Sequence, residues 1–234
     1  MEFQDINEFL SLLEDDRLNS ASILQANDNQ YTRRTYVRAF FSNTEGLIQS
    51  LRHRVLDDIK NFGGPFTTAE IAILKEEAYA LSRNGDATTQ KRHSKTEDLM
   101  KFVIKMSAKA YETKFDLNLS NKGWESFLAS LEIRNRVTHP RNVEDLTITD
   151  SDLTTVRQAE TWLHSTIDSL MTTLRDKAGH ELKTTLEKKT SYEQELSKLR
   201  QAALESLGCK TVDEVKLELK GQEAYDYLVN NGKF

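Results

Sequence analysis

Residues 37–59, VRAFFSNTEGLIQSLRHRVLDDI, carry the longest helical pattern in the chain. Val37, Phe40, Phe41, Thr44, Leu47, Ile48, Leu51, Val55 and Ile59 recur at steps of three and four. That is the spacing of one buried helix face, sustained here for about six turns. Gly63-Gly64-Pro65 then stops it, because proline lacks the backbone donor and glycine has little helical preference. A stripe this long predicts the central post of a helical bundle.

Outward from that post, the flanking patterns are also helical. Phe9, Leu10, Leu12 and Leu13 mark a short helix over 6–18, followed by a polar loop at 27–30. Thr67 or Thr68 caps a third helix, with Glu70 close behind and Ile71, Leu74 and Ala78 on its apolar face. A fourth covers 96–111 on Leu99, Val103, Met106 and Ala110. Ser120 or Asn121 caps a fifth, where Trp124, Phe127, Leu128 and Leu131 share a face. Leu146-Thr147-Ile148-Thr149 reads as an extended connector, and Asp150 or Ser151 caps a sixth helix. Its stripe is Leu153, Val156, Ala159, Leu163, Ile167, Leu170 and Leu174, near a 3.5-residue repeat. Trp124 and Trp162 sit at core spacing, as packing residues rather than base-stacking platforms. Between the third and fourth helices, Asn84-Gly85-Asp86 and the run Lys91-Arg92-His93-Ser94-Lys95 read as a solvated loop. The functional alternative is a phosphate-tracking patch made by Lys91, Arg92 and Lys95.

Past Gly179 the character changes. Lys183, Glu187, Lys188, Lys189, Glu193, Glu195 and Lys198 crowd a segment whose apolar positions are sparse: Leu182, Leu186, Leu196, Leu199 and Ala203. This predicts a solvated helix or weak coiled coil ending at Gly208. Thr211-Val212-Asp213-Glu214 reads as a capping box for a short last helix with Val215 and Leu219, and Tyr225 and Leu228 follow Gly221. The expected organisation is all-α: a bundle over 1–178 and a charged helical appendage over 179–234.

Composition supports that class. Hydrophobic residues are 38% and charged residues 29%, with only 9 Gly and 2 Pro, so turn-formers are scarce and helix formers abundant. A net charge of −5 argues against a surface that binds nucleic acid generically, so any RNA contact must be local. A single cysteine, Cys209, allows no internal disulfide and suits a reducing compartment. No apolar run reaches the ~18 residues of a membrane span. Met1-Glu2-Phe3-Gln4-Asp5 lacks the basic-then-apolar order of a signal peptide. A soluble cytoplasmic protein without membrane association is the expectation.

The fifth helix ends in Ile133-Arg134-Asn135-Arg136-Val137-Thr138-His139-Pro140. Continuing its apolar face leads to Arg134, Asn135 and Thr138. Arginine cannot shed its charge, so a carboxylate or a phosphate must compensate for burying it. Pro140 closes the helix and biases His139 toward extended angles. On an unbroken helix Arg134 and His139 would point roughly 140° apart. The broken end allows both to line one cleft.

The Arg-Asn-x-x-x-His-Pro segment at 134–140 resembles the R-x4-6-H motif of the HEPN superfamily (higher eukaryote and prokaryote nucleotide-binding domains). The polar residue after the arginine, the helix-end position and the trailing proline all match that family's habit. A second match in the chain, Arg175-Asp176 through His180, lies beyond the last strongly periodic helix and reads as interrupted by Gly179; it is taken as coincidental, and the first is the candidate. The resemblance covers roughly residues 5–176, with about seven residues of motif. It implies a helical bundle that cleaves RNA without a metal or other cofactor, in a toxin–antitoxin or antiphage setting. It also implies a homodimer with a composite site, the helices bearing Arg134 and Ile167 near the seam, and an antitoxin or defence-system protein as partner. In that reading His139 is the base for the ribose 2′-OH, since its ordinary pKa near ~6.5 leaves it neutral yet basic. Arg134 stabilises the charged phosphorane with its planar fork, and Asn135 orients. Arg136 and Arg141 grip the RNA backbone.

Other readings remain open. Arg134 can be a structural arginine in an ion pair, with Glu45 on the long helix as a partner inside the chain. His139 can be a helix C-terminal histidine favoured by the macrodipole. A non-catalytic HEPN module, binding nucleotide, RNA or protein, would show Arg134 neutralised by an internal acid and no open cleft. A helical adaptor would work through its charged tail. His53, His93 and His164 lack metal-ligand spacing. There is no Gly-rich phosphate loop, G-x-S-x-G or H-E-x-x-H.

Overall fold

The computed structural model describes residues 3–206, and most of them are helical. In chain order the elements are α1 (Phe3–Ala26), α2 (Gln30–Phe62), α3 (Thr68–Leu74), β1 (Glu77–Leu81), β2 (Ala87–Lys91), α4 (Thr96–Ala110), α5 (Lys122–Thr138) and α6 (Asp150–Ser206). The sequence expectations at Cys209, the capping box at 211–214 and the short helix after it lie outside the described residues. By internal contacts the chain divides between Lys177 and Ala178. Among the described residues no helix is long and apolar enough to cross a membrane.

In the first unit α2 is the post, as its stripe predicts. Val37, Phe40, Phe41, Ile48, Leu51 and Val55 are all buried in one core with Met100, Val103 and Ile104 of α4, Phe127 and Val137 of α5, and Val156, Leu163 and Leu170 of α6. Local signals set the helix ends. Asn29 accepts hydrogen bonds from the N–H groups of Tyr31 and Thr32 to open α2, and Gly63, at φ 74°, closes it. Thr67 and Glu70 form a reciprocal capping box on α3. Asn121 accepts from the Trp124 N–H at 2.9 Å to start α5.

Several expectations are corrected. The first helix is longer than 6–18, running Phe3–Ala26. The sixth is capped by Thr149, whose hydroxyl accepts from the Asp152 N–H at 3.1 Å, rather than by Asp150 or Ser151. Leu128 is 38% exposed, because the buried arc of α5 runs instead through Trp124, Phe127, Leu131, Ile133 and Val137. The expected solvated loop, Asn84-Gly85-Asp86 with the run Lys91–Lys95, is in part an antiparallel hairpin: Glu77 pairs with Lys91 through Leu81 with Ala87, which also takes Ala78 out of the third helix. Gly85, at φ 84°, makes the turn, where the Ser82 N–H donates to the Asp86 carbonyl at 2.8 Å. The hairpin strands are short and largely exposed, so they carry no apolar alternation to announce them. Finally, α6 passes through Gly179 without a break. One glycine costs a helix only about 1 kcal/mol, which its neighbours can carry. Arg175 and His180 therefore lie on continuous helix. In the second unit the described part of α6 exposes Leu182, Leu186 and Tyr192.

An aromatic cluster joins α5 to α6. The Trp124 and Phe127 rings stack at 5.7 Å, and each lies 5.5 Å from the Trp162 ring. Gly123 is what lets the helices approach this closely: a Cβ there would lie 2.4 Å from Trp162 Cγ and 2.5 Å from its Cβ. The Trp162 Cβ is tied to the α6 backbone and cannot swing away. Gly123→Ala is therefore expected to destabilise by about 1–3 kcal/mol despite alanine's better helix propensity. Thermal unfolding should show the midpoint falling by about 2–4 °C per kcal/mol at this chain length.

The connector from α5 to α6 is held to the first turns of α2. Arg34 donates to the Leu146 carbonyl and Arg33 to the Ile148 carbonyl, both at 2.9 Å. Gln30 donates to the Ile148 carbonyl at 3.0 Å and accepts its N–H at 2.8 Å, as a neighbouring strand would. The extended reading of 146–149 holds from Thr147, while Glu144–Leu146 form a 3-10 turn. The segment bearing His139, Pro140 and Arg141 is thus tethered at both ends.

Candidate functional site: the C-terminal end of α5

Arg134 is mostly buried, its side chain 20% exposed. Its Nη2 makes an ion pair with Glu45 of α2 and lies 3.5 Å from the Thr96 hydroxyl at the start of α4. Its Nη1 donates to Asn135 Oδ1 at 3.0 Å. The guanidinium also sits 5.5 Å from the centre of the Phe41 ring, within cation–π range. Burial pushes its pKa down from the ordinary arginine value, yet a guanidinium remains charged at neutral pH. The sequence posed a choice between carboxylate and phosphate, and within the chain a carboxylate answers. Glu45 is itself 47% exposed on its side chain, so the pair sits at the surface. A cleft of about 650 Å³ opens over it, lined among others by Lys95, Thr96, Glu132, Arg134 and Asn135.

His139 lies at the C-cap of α5, outside helical geometry at φ −126° and ψ 60°, as the following proline requires. Its backbone N–H still donates to the Asn135 carbonyl at 2.9 Å. The chain therefore leaves the helix only at His139 itself, too late to bring the imidazole round beside Arg134. His139 instead lines a second cleft of about 570 Å³ with Arg136, Arg141, Asp145 and Asp152. The expectation that Arg134 and His139 line one cleft is corrected: they line adjoining clefts that share Glu132 and Asn135.

The other expected residues separate in the same way. Arg136 Nη2 donates to Asp152 Oδ2 at 2.9 Å and so helps hold α5 to α6. Burial works against the Asp152 carboxylate, but the Thr149 N–H and Arg136 together keep its pKa below the ordinary range. Arg141 keeps its guanidinium free among the described residues, while its backbone N–H donates to Asp145 at 2.7 Å. Lys95 is exposed at the rim of the Arg134 cleft. Lys91 and Arg92 are exposed on and just after β2 and line neither cleft, so the patch expected of all three reduces to Lys95.

The sequence pattern singled out Glu45 but not its companions. Arg38, Glu45, Gln49 and Arg52 stand at i, i+7, i+11 and i+14 on α2, which places them on one face. Arg38 Nη2 donates to the Val137 carbonyl at 3.1 Å, two residues before His139. The spacing was there to be read, but the apolar stripe on the same helix masked it. Among the described residues, no group of three His, Cys, Asp or Glu side chains is placed to hold a metal ion.

In comparisons with protein-family models, curated proteins and solved structures, the chain matches none.

Proposed function

We propose that the chain is a metal-independent endoribonuclease of the HEPN type, working as a homodimer in a toxin–antitoxin or antiphage setting. The observation that carries this reading is the position of Asn135. It borders both clefts, so the imidazole and the guanidinium lie on either side of one residue, with Lys95 and Arg141 at the outer ends. A strand laid along the end of α5 meets a base, a phosphate-binding fork and two uncommitted cations in succession.

In the reaction the ribose 2′-oxygen attacks phosphorus, forming the P–O2′ bond as the P–O5′ bond breaks. His139 takes the 2′ proton, and the departing 5′-oxygen takes a proton from the protonated imidazole of the second copy or from solvent. The products are a 2′,3′-cyclic phosphate and a 5′-hydroxyl. The phosphorane carries more negative charge than the ground state, so a preset cation accelerates the step selectively. Glu45, Asn135 and Thr96 engage three of the five guanidinium N–H groups of Arg134. The other two remain for phosphate, and the ion pair fixes the plane of the fork.

A second reading, a HEPN-type module that binds RNA or nucleotide without cleaving it, is favoured by that same Glu45 pair, which already neutralises the guanidinium. One experiment separates the two. Purified protein is incubated with mixed RNA in EDTA, and 2′,3′-cyclic phosphate ends are quantified. Cyclic ends produced by wild type and lost in His139→Ala support cleavage, whereas RNA bound but left intact supports the module.

Either reading assigns different work to the two flanking arginines. Arg141→Ala is expected to weaken RNA binding across sequences and reduce the salt slope by about one, with no change in thermal midpoint. Arg136→Ala is expected to lower the midpoint, because it strips Asp152 of its partner. Salt-titrated binding and thermal scans check both.

A further inference from the structure

Beside the Arg134 cleft lies a third cavity, of about 440 Å³, between α1, α2 and the start of α4. Ser94 and Thr96 line both this cavity and the Arg134 cleft, so the two adjoin. Phe9, Leu13 and Ile48 supply apolar walls. The polar lining carries the acceptors of Glu45, Glu76 and Gln49 beside the hydroxyls of Ser42, Ser94 and Thr96 and the His93 imidazole, and the only charges of fixed sign in it are the two carboxylates.

Two of these groups carry a cost within the chain alone. Gln49 Oε1 is buried without any hydrogen-bond partner, which forfeits its hydration and gains nothing in exchange. Glu76 holds φ at 56°, in the left-handed region that a side chain disfavours. Strain and unmet polar groups concentrate where a ligand completes the structure. One oxygen of Glu76 faces Arg52 at 3.0 Å, while the other is 3.9 Å from His93, beyond hydrogen-bond distance.

We propose that this cavity receives a guanine base of the RNA strand whose phosphate meets Arg134. It rests on the reading of the α5 clefts as an RNA site. A base is flat and apolar on both faces, which suits Phe9 and Leu13, and aromatic side chains stack on bases of any sequence. The edge decides identity. Guanine presents adjacent N1–H and N2–H donors, which one carboxylate can accept together, whereas uracil offers a single N3–H flanked by two carbonyls that repel the same carboxylates. Gln49 is a specificity-determining residue in this arrangement, and Glu76 supports it.

The test uses the full chain and 2′-O-methyl tetranucleotides of G, A, U and C, which bind but cannot cleave because the 2′-oxygen is blocked. Affinities are measured by calorimetry for wild type and Gln49→Leu, a substitution of similar size that removes the orphaned oxygen. Wild type is expected to bind the G sequence about 10-fold more tightly than the U sequence, the discrimination typical of a well-placed base contact. Gln49→Leu is expected to narrow that ratio to about 3-fold, with an unchanged or higher thermal midpoint. Equal binding of all four sequences overturns the cavity assignment and leaves the RNA site standing. Failure to bind any of them overturns both. Guanosine monophosphate binding as tightly as the G tetranucleotide overturns the assignment to an RNA base, because a free nucleotide would then be the ligand.

Discussion

Alanine at His139 is expected to lower RNA cleavage by about 10²–10⁴-fold, the range of a lost general base. Alanine at Arg134 should lower it by about 10²–10³-fold, the loss from removing one preset transition-state contact. The two variants should differ in stability. His139 is exposed, and its side chain makes no hydrogen bond or ion pair among the described residues, so its loss should leave the thermal midpoint in place. Arg134 meets Glu45, Asn135, Thr96 and the Phe41 ring, so its removal unties α5 from α2 and α4. Arg134→Lys is therefore the sharper probe. It keeps the charge beside Glu45 but loses the planar fork, and cleavage should fall much further than stability. Glu45→Gln tests the other side of the pair: the guanidinium keeps a hydrogen-bonding neighbour but loses its counter-charge. If Arg134 serves only structure, Arg134→Lys will cleave like wild type. Single-turnover cleavage of labelled RNA beside thermal scans reads every arm.

The largest effect on stability should come from Arg17. It is 8% exposed on α1, with its Nε donating to Glu14 at 2.8 Å and its Nη1 paired with Glu160 of α6. The same Glu160 accepts from the buried Tyr36 hydroxyl of α2. One guanidinium thus neutralises two carboxylates at the junction of three helices. Removing it leaves Glu160 nearly buried against a phenol that cannot compensate. Burial, reinforced by Glu160, pushes the Tyr36 pKa up, so that hydroxyl stays neutral at any ordinary pH. Arg17→Met keeps most of the volume and should cost about 3–5 kcal/mol, as when one partner of a buried pair is lost. Acid should act through the same group. The hydrogen bond from Arg17 holds the Glu14 carboxyl below its ordinary pKa. Its stabilisation is therefore complete above the unfolded value of about 4.3 and disappears as pH falls through the folded one. Thermal midpoints measured from pH 6 to pH 3 should fall in wild type, and fall less in Arg17→Met.

The helices of the first unit were legible because their causes are local. The α2 stripe, the Gly63-Gly64 stop, the Thr67–Glu70 box and the Asn121 cap each act within a turn or two of where they are written. Failures came where a local signal was weak or overstated. The 77–91 hairpin has exposed strands with no apolar rhythm, and only Asn84-Gly85 marked it. Gly179 read as a break because glycine is a poor helix former, but its penalty is small beside the helix on either side of it.

The candidate site divides along the same line. Residue order placed an arginine on the inward side of α5, required a counter-charge or phosphate for it, and released His139 from helical angles through Pro140. It did not choose the counter-charge, because Glu45 lies 89 positions away and reaches Arg134 only when α2 and α5 share a core. Nor did it separate the clefts. That follows from the backbone of His139 still bonding to Asn135, and from α2 gripping carbonyls on either side of it, Arg38 at Val137 before it and Arg34 and Arg33 at Leu146 and Ile148 after it. Helical period and capping are written over a few neighbouring residues; the pairing of charges and the shape of a cleft arise only where distant segments meet.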